Sequence, residues 1–172
     1  VAFREAVSSF YARRFDVAID ASTEVIPVLG GKEAGAHVAL ACLDPGDVAL
    51  APDPGYPPYT SGPVFAGAEV HYQPLREDNA FMPDLDAVPV ETAARANLLY
   101  FNYPNNPTGA VVAAGVFDRA VAFARKHDLI ALHDSAYAEI AFDGYRPPSF
   151  PATPGAKDVG AEIFSLSKGW NM

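Results

Sequence analysis

Apolar positions recur at helical spacing from the first residues. Phe3, Val7, Phe10 and Tyr11 fall on one face and predict a helix over Val1–Arg14. Glu24–Leu29 follows as a short, largely apolar run that predicts a strand, and Gly30-Gly31 turns it into a second helical stretch over Lys32–Leu43. Asp44-Pro45-Gly46-Asp47 stops that helix. Val48-Ala49-Leu50-Ala51 is then a fully apolar short strand, ended by Pro52-Asp53-Pro54-Gly55. Further strands are predicted at Glu69–Gln73 and Leu98–Phe101, with a weakly patterned stretch over Asp84–Val90 between them. Val116, Phe117, Ala120, Val121 and Ala124 share one face of a helix over Ala113–His127, while Asp118, Arg119, Arg125 and Lys126 lie on other faces. Leu129–Leu132 and Ile163–Phe164 read as two more buried strands, on either side of a Pro- and Gly-rich stretch from Gly144 to Gly160.

Apolar strands that alternate with helices imply parallel crossovers and a sheet covered on both faces. The fold class is therefore α/β with a mostly parallel sheet. In such sheets ligands gather at the carboxyl ends of the strands, so the residues just after each strand are where function is sought. No internal repeat interrupts the pattern.

Composition narrows the partners. The chain has 172 residues, 50% of them hydrophobic and 19% charged, which suits one compact core and one domain. It starts on Val1 already in helix, and Ile163–Met172 stops without a Gly, Pro or polar tail, so the sequence reads as a stretch cut at both ends. A formal charge of -9 and a pI near 4.7 argue against nucleic acid or an anionic membrane as a partner, because both need clustered Lys and Arg. Small-molecule chemistry is the expectation that remains. The single cysteine, Cys42, has no partner for an internal disulfide and sits in an apolar helical run; it reads as a structural thiol in a reducing, cytoplasmic compartment. No apolar run approaches the ~20 residues of a membrane span.

Four strand ends carry polar residues of an uncommon combination. They are Gly30-Gly31-Lys32, Asn102 to Gly109 (NYPNNPTG), His133-Asp134-Ser135-Ala136-Tyr137 and Ser165-Leu166-Ser167-Lys168. Each alone has a plain reading: a diglycine turn, an Asn-Pro-Thr-Gly turn, an Asp helix cap, a solvated lysine. Together they match what a phosphorylated pyridine aldehyde requires. A phosphate suits the backbone N–H groups of Gly31 and Lys32 at a helix start, with the Ser165 hydroxyl beside them. An aldehyde suits the Lys168 amine, with which it forms a Schiff base. A ring nitrogen that stays protonated suits the Asp134 carboxylate, and a phenolic oxygen suits donors such as the Asn106 amide and the Tyr137 hydroxyl. The ring face suits an aromatic, for which Tyr56 in Asp53-Pro54-Gly55-Tyr56-Pro57-Pro58-Tyr59 is the candidate.

Pro104-Asn105-Asn106-Pro107-Thr108-Gly109, Asp134-x-x-Tyr137 and Ser165-x-Ser167-Lys168 resemble the class I/II aminotransferases of fold type I, enzymes of pyridoxal 5'-phosphate (PLP). Leu29-Gly30-Gly31-Lys32-Glu33, Pro147-Pro148-Ser149-Phe150 and Gly155–Gly160 resemble further the LL-diaminopimelate aminotransferase-related branch, which is biosynthetic. The resemblance covers essentially the whole chain. It implies an incomplete large domain of a three-layer sandwich, with the small domain absent, and a homodimer with its sites at the subunit interface. It implies an amino-group exchange between an amino acid and a 2-oxo acid, with Lys168, Asp134 and Tyr137 catalytic. Gly31, Lys32, Tyr56, Asn106 and Ser165 join them in cofactor binding, and no metal takes part. Two alternatives on the same scaffold are a PLP-dependent β-lyase and a non-catalytic sensor domain of a transcription regulator. The chain departs from the branch where Gly31 stands for the commoner Ser and where Gly169-Trp170 follows the lysine. The arginines that hold the phosphate and the substrate carboxylate are expected outside these residues.

Overall fold

Val48–Asp53 (β1), Glu69–Pro74 (β2), Ala96–Asn102 (β3), Ile130–Asp134 (β4) and Gly160–Ile163 (β5) form one sheet in the computed structural model, which describes residues 1–172. The strand order is β2-β1-β3-β4-β5 and every pairing is parallel. Parallel neighbours need crossover connections. Pro58–Phe65 (α3) carries the chain from β1 to β2, and Val116–His127 (α5) carries it from β3 to β4. Ala2–Phe15 (α1), Gly31–Cys42 (α2), Val90–Ala93 (α4), Ala156–Val159 (α6) and Leu166–Gly169 (α7) complete the helices.

Side-chain alternation along the strands divides the core in two. Val48, Leu50, Leu99, Phe101 and Ala131 face α5, where they meet Val116, Phe117, Ala120, Val121 and Ala124. Ala49, Ala51, Leu98, Tyr100, Leu132 and Ile163 face the opposite way, toward Ala39 of α2 and Tyr59 of α3. A sheet with helices on both faces is the three-layer α/β arrangement expected from the sequence, and it explains why β1 and β3 read as unbroken apolar runs. On the α2–α3 side, Gly62 permits close helix packing: a Cβ there would meet the Ala36 Cα at 3.0 Å and the Ala39 Cβ at 3.1 Å.

The expected strand at Glu24–Leu29 does not form. Ile26 and Leu29 are 84% and 97% exposed, Pro27 has no N–H, and the run lies in no ladder. Its backbone is satisfied locally instead: the Glu24 N–H donates to the Asp20 carbonyl, and the Leu29 N–H donates to the Glu33 carboxylate. An apolar run becomes a strand only where a sheet edge accepts it.

Smaller differences concern boundaries. The α5 helix begins at Val116 rather than Ala113, because Gly115, at φ 79°, takes a left-handed conformation just before it. The last strand, β5, ends at Ile163 rather than Phe164, and β4 continues through Asp134. Asp84–Val90 resolves into a 3-10 turn at Leu85–Ala87 and the start of α4. The α3 helix has no apolar periodicity to reveal it, although Pro58 at its first turn is where a helix tolerates proline. Cys42 is half-buried, and burial pushes its thiol up, away from the reactive thiolate. No helix is long and apolar enough to cross a membrane.

Candidate active site

With all five strands parallel, their carboxyl ends open on one edge of the sheet. There a cavity of about 250 Å³ is lined by 13 residues. All eight residues singled out in the sequence are among them: Gly31, Lys32, Tyr56, Asn106, Asp134, Tyr137, Ser165 and Lys168. Gly30, Tyr59, Asn102, Ala136 and Ser167 complete the wall. A larger cavity of about 1010 Å³ lies between α1, Glu24–Gly31 and Phe164–Met172, and its wall is mainly apolar. The smaller cavity is where titratable and hydrogen-bonding groups converge, so the chemistry is sought there.

Asp134, the last residue of β4, is 5% exposed. Its carboxylate accepts from the Tyr59 hydroxyl at 2.7 Å and from the Ala136 N–H at 2.9 Å. Burial raises the Asp134 carboxyl above its ordinary value, and the bonds from Tyr59 and Ala136 oppose that rise. Both donors are neutral and no cation of the chain pairs with this carboxylate. Tyr59 itself is 2% exposed and stacks on Tyr100 with ring centroids 5.0 Å apart. Burial first, and then the Asp134 charge, push its hydroxyl well up, so it remains a donor.

Asn102 ends β3 in register with Asp134. Its Nδ2 donates to the Asp134 carbonyl at 2.7 Å, and its Oδ1 accepts the Asn106 N–H at 2.7 Å. One buried side chain thus ties the strand that carries the carboxylate to the loop that carries Asn106. On that loop Asn105 supplies the turn: its Oδ1 accepts from the Thr108 hydroxyl at 2.7 Å and from the Thr108 N–H at 3.1 Å. The Asn106 side-chain amide is left at the cavity wall.

The α2 helix starts at Gly31 against the end of β5. A Cβ on Gly31 would meet Ile163 Cγ2 at 3.2 Å and Ser165 Cβ at 3.8 Å, so glycine lets the helix start close beside the Ser165 loop. The Gly31 and Lys32 N–H groups belong to the first turn, which has no acceptor within its own helix. Ser165 caps α7 by accepting the Ser167 N–H at 3.2 Å, and α7 carries Lys168. The Lys168 ammonium lies 5.9 Å from the centre of the Tyr137 ring.

The chain matches the aminotransferase class I and II family over residues 1–172. It belongs to that family. Among relatives, it is 53% identical over 171 residues to the LL-diaminopimelate aminotransferase of Desulforudis audaxviator, covering 99% of this chain and 44% of the relative. The enzyme of the same name from Moorella thermoacetica is 52% identical over 172 residues, again with 44% of its length covered. Among solved structures, substrate-bound BacF from Bacillus subtilis superposes with a TM-score of 0.95 at 44% identity, over 98% of this chain and 43% of that one. A probable N-succinyldiaminopimelate aminotransferase from Thermus thermophilus gives 0.92 at 40% identity, over 99% and 45%. The chain thus spans under half the length of the relatives it matches. Class I and II aminotransferases work with PLP, the cofactor expected from the sequence.

The residues present fit that group. Asp134 is a buried carboxylate without a cationic partner, which suits a protonated pyridine nitrogen. Gly31, Lys32 and Ser165 offer N–H groups and a hydroxyl around one point, which suits a phosphate.

Sequence reading missed two residues of this wall that hold Asp134. The signal for Tyr59 lay three residues after Tyr56, just past the Pro52–Gly55 turn. The signal for Asn102 was its place as the last residue of a strand. Tyr59→Phe in the intact protein removes the hydroxyl donor from Asp134, whose carboxyl then rises further. Stability is expected to fall by about 1–2 kcal/mol in urea titration. Turnover is expected to fall about tenfold, the effect of losing ~1.4 kcal/mol of carboxylate stabilisation.

Proposed function

We propose that this chain is part of the cofactor-binding domain of a PLP-dependent aminotransferase that exchanges an amino group between LL-diaminopimelate and a 2-oxo acid. The observation that carries this reading is the convergence of Gly31, Lys32, Tyr56, Asn106, Tyr137, Ser165 and Lys168 on one cavity with Asp134, a buried carboxylate with no cationic partner. The amino donor is the one that relatives at 53% and 52% identity are named for. Neither the β-lyase nor the sensor-domain reading finds support among the relatives and structures described above.

When bound, PLP supplies an aldehyde that takes up an amine and a ring that withdraws electrons. Around it, the roles proposed for the chain are these. The α2 start, through Gly31 and Lys32, and the Ser165 hydroxyl orient the phosphate. Asp134 holds the proton on the ring nitrogen, kept in place by Tyr59 and Asn102. Asn106 and Tyr137 donate toward the phenolic oxygen, and Tyr56 covers one ring face. Lys168 Nζ would hold the aldehyde carbon until the substrate amine displaces it, and the freed amine would then take and return the proton of the substrate Cα. The active form is a cytoplasmic homodimer whose PLP-binding domain extends beyond these residues and is joined by a smaller domain.

The test uses the intact protein. With PLP added, it is expected to show a visible absorption band that LL-diaminopimelate bleaches and a 2-oxo acid restores, with a new amino acid formed in equal amount. A band that amino acids leave unchanged would favour the sensor reading. Release of ammonia and a 2-oxo acid from one substrate alone would favour the lyase.

A further inference from the structure

His133 and Glu162 form a buried pair that the proposed chemistry does not use. Their side chains are 0% and 1% exposed, and His133 Nδ1 lies 2.8 Å from Glu162 Oε2. The Glu162 carboxylate also accepts from the Tyr11 hydroxyl, the Ser149 hydroxyl and the Phe150 N–H, each at 2.8 Å. Three donors, from α1 and the turn before α6, together with the His133 ring of β4 therefore fix its orientation. A carboxylate held this way holds the ring that faces it.

The ring sits among aromatics, 5.1 Å from Phe101 and 4.8 Å from Phe117 between ring centroids, where a phenyl ring would fill the same space. Its nitrogens matter for what they reach. His133 Nε2 donates to the Tyr103 carbonyl at 3.1 Å. Tyr103 is the first residue of the loop that runs from the end of β3 to Asn106. Its N–H donates to the Asp134 carbonyl at 3.3 Å, and its hydroxyl donates to the Phe81 carbonyl at 2.8 Å. The peptide that leads into the loop is thus held from β4 by two neighbours: Asp134 through its main chain and His133 through its side chain.

We infer that His133 is a positioning residue: oriented by Glu162, its ring tethers the Tyr103 carbonyl and so fixes the loop that presents Asn106 to the cavity. The inference rests on the reading of Asn106 as a cofactor contact, but its structural part stands without it.

The test is hydrogen exchange of the cofactor-free intact protein, followed by turnover with PLP. His133→Phe fills the aromatic site and removes the tether. Exchange across Asn102–Gly109 is expected to speed up about tenfold or more, while β1 and α5 keep wild-type rates. His133→Gln, which keeps an amide N–H for the carbonyl, is expected to restore most of the protection. With PLP, His133→Phe is expected to lower kcat about tenfold with KM for the amino donor unchanged, and to shift the pH at which the visible band titrates. Unchanged exchange in the loop, or a uniform rise across the domain, would overturn the inference. If His133→Phe does not fold, Glu162→Ala decides by the same measurement, because it removes the oxygen that faces His133 Nδ1 and frees the ring to turn. Failure of the proposed function shows separately, as a wild-type protein whose loop is protected but which transfers no amino group.

Discussion

Lys168→Ala is expected to abolish amino-group transfer while leaving the fold in place. The side chain is exposed on a four-residue helix at the cavity wall and makes no hydrogen bond or salt bridge within the protein, so its removal exposes no buried group. Circular dichroism and melting of the intact protein should match wild type. Turnover should fall by ~10² to 10⁴, the range for deleting the group that moves the substrate proton. Borohydride treatment of the wild type with PLP should fix the pyridoxyl group on the peptide that contains Lys168, and the variant should take up none. Label on Lys32, Lys126 or Lys157 would move the reactive amine elsewhere.

Asp134→Asn separates stability from activity in the opposite sense to most substitutions of a buried charged residue. In the cofactor-free protein burial raises this carboxyl, so the folded state binds its proton more tightly than the unfolded chain does. The stability that this adds is fully present below the ordinary carboxylate value and is lost as pH rises through the raised one. At pH 7 the wild type therefore carries the cost of a buried charge, and asparagine does not. Its one oxygen can still accept from the Ala136 N–H, and its amide can donate to the Tyr59 oxygen. The variant is expected to melt no lower than wild type at pH 7 without PLP. With PLP, turnover should fall at least ~100-fold, as when one preorganised electrostatic group is deleted, while binding of the cofactor weakens far less. Near-normal turnover with PLP bound would mean that another residue serves the ring nitrogen.

The site was more legible than the fold around it. Most of its residues stand at the ends of apolar strands, which share an edge in a parallel sheet, whereas Gly31 and Lys32 open α2 after a run that is no strand. Asp134, Asn106, Ser165 and Lys168 could be placed without knowing the strand order. Glu24–Leu29 was misread because an apolar run records burial but says nothing about which sheet edge is near. Tyr59 was missed because prolines on both sides hid a helix that packs through Gly62 rather than through an apolar stripe. Glu162 was missed as well: a lone glutamate beside a strand carries no mark of the four partners that tertiary packing brings to it.

His133 and Asp134 are neighbours on β4, and the pleat sends the first into the aromatic cage beside α5 and the second into the cavity. Asn102 and Asp134, Phe101 and His133 stand opposite each other across β3 and β4, so the same alternation runs through both strands. A slip of one residue between these strands would drive a carboxylate into a phenylalanine cluster and turn an imidazole out to the ligand. A change of length that preserves this arrangement has to fall in a connection such as Ala110–Gly115, where it moves neither register. A designer who grafts a new pocket onto this sheet inherits the same rule: connections away from the cavity can vary in length, and β4 cannot.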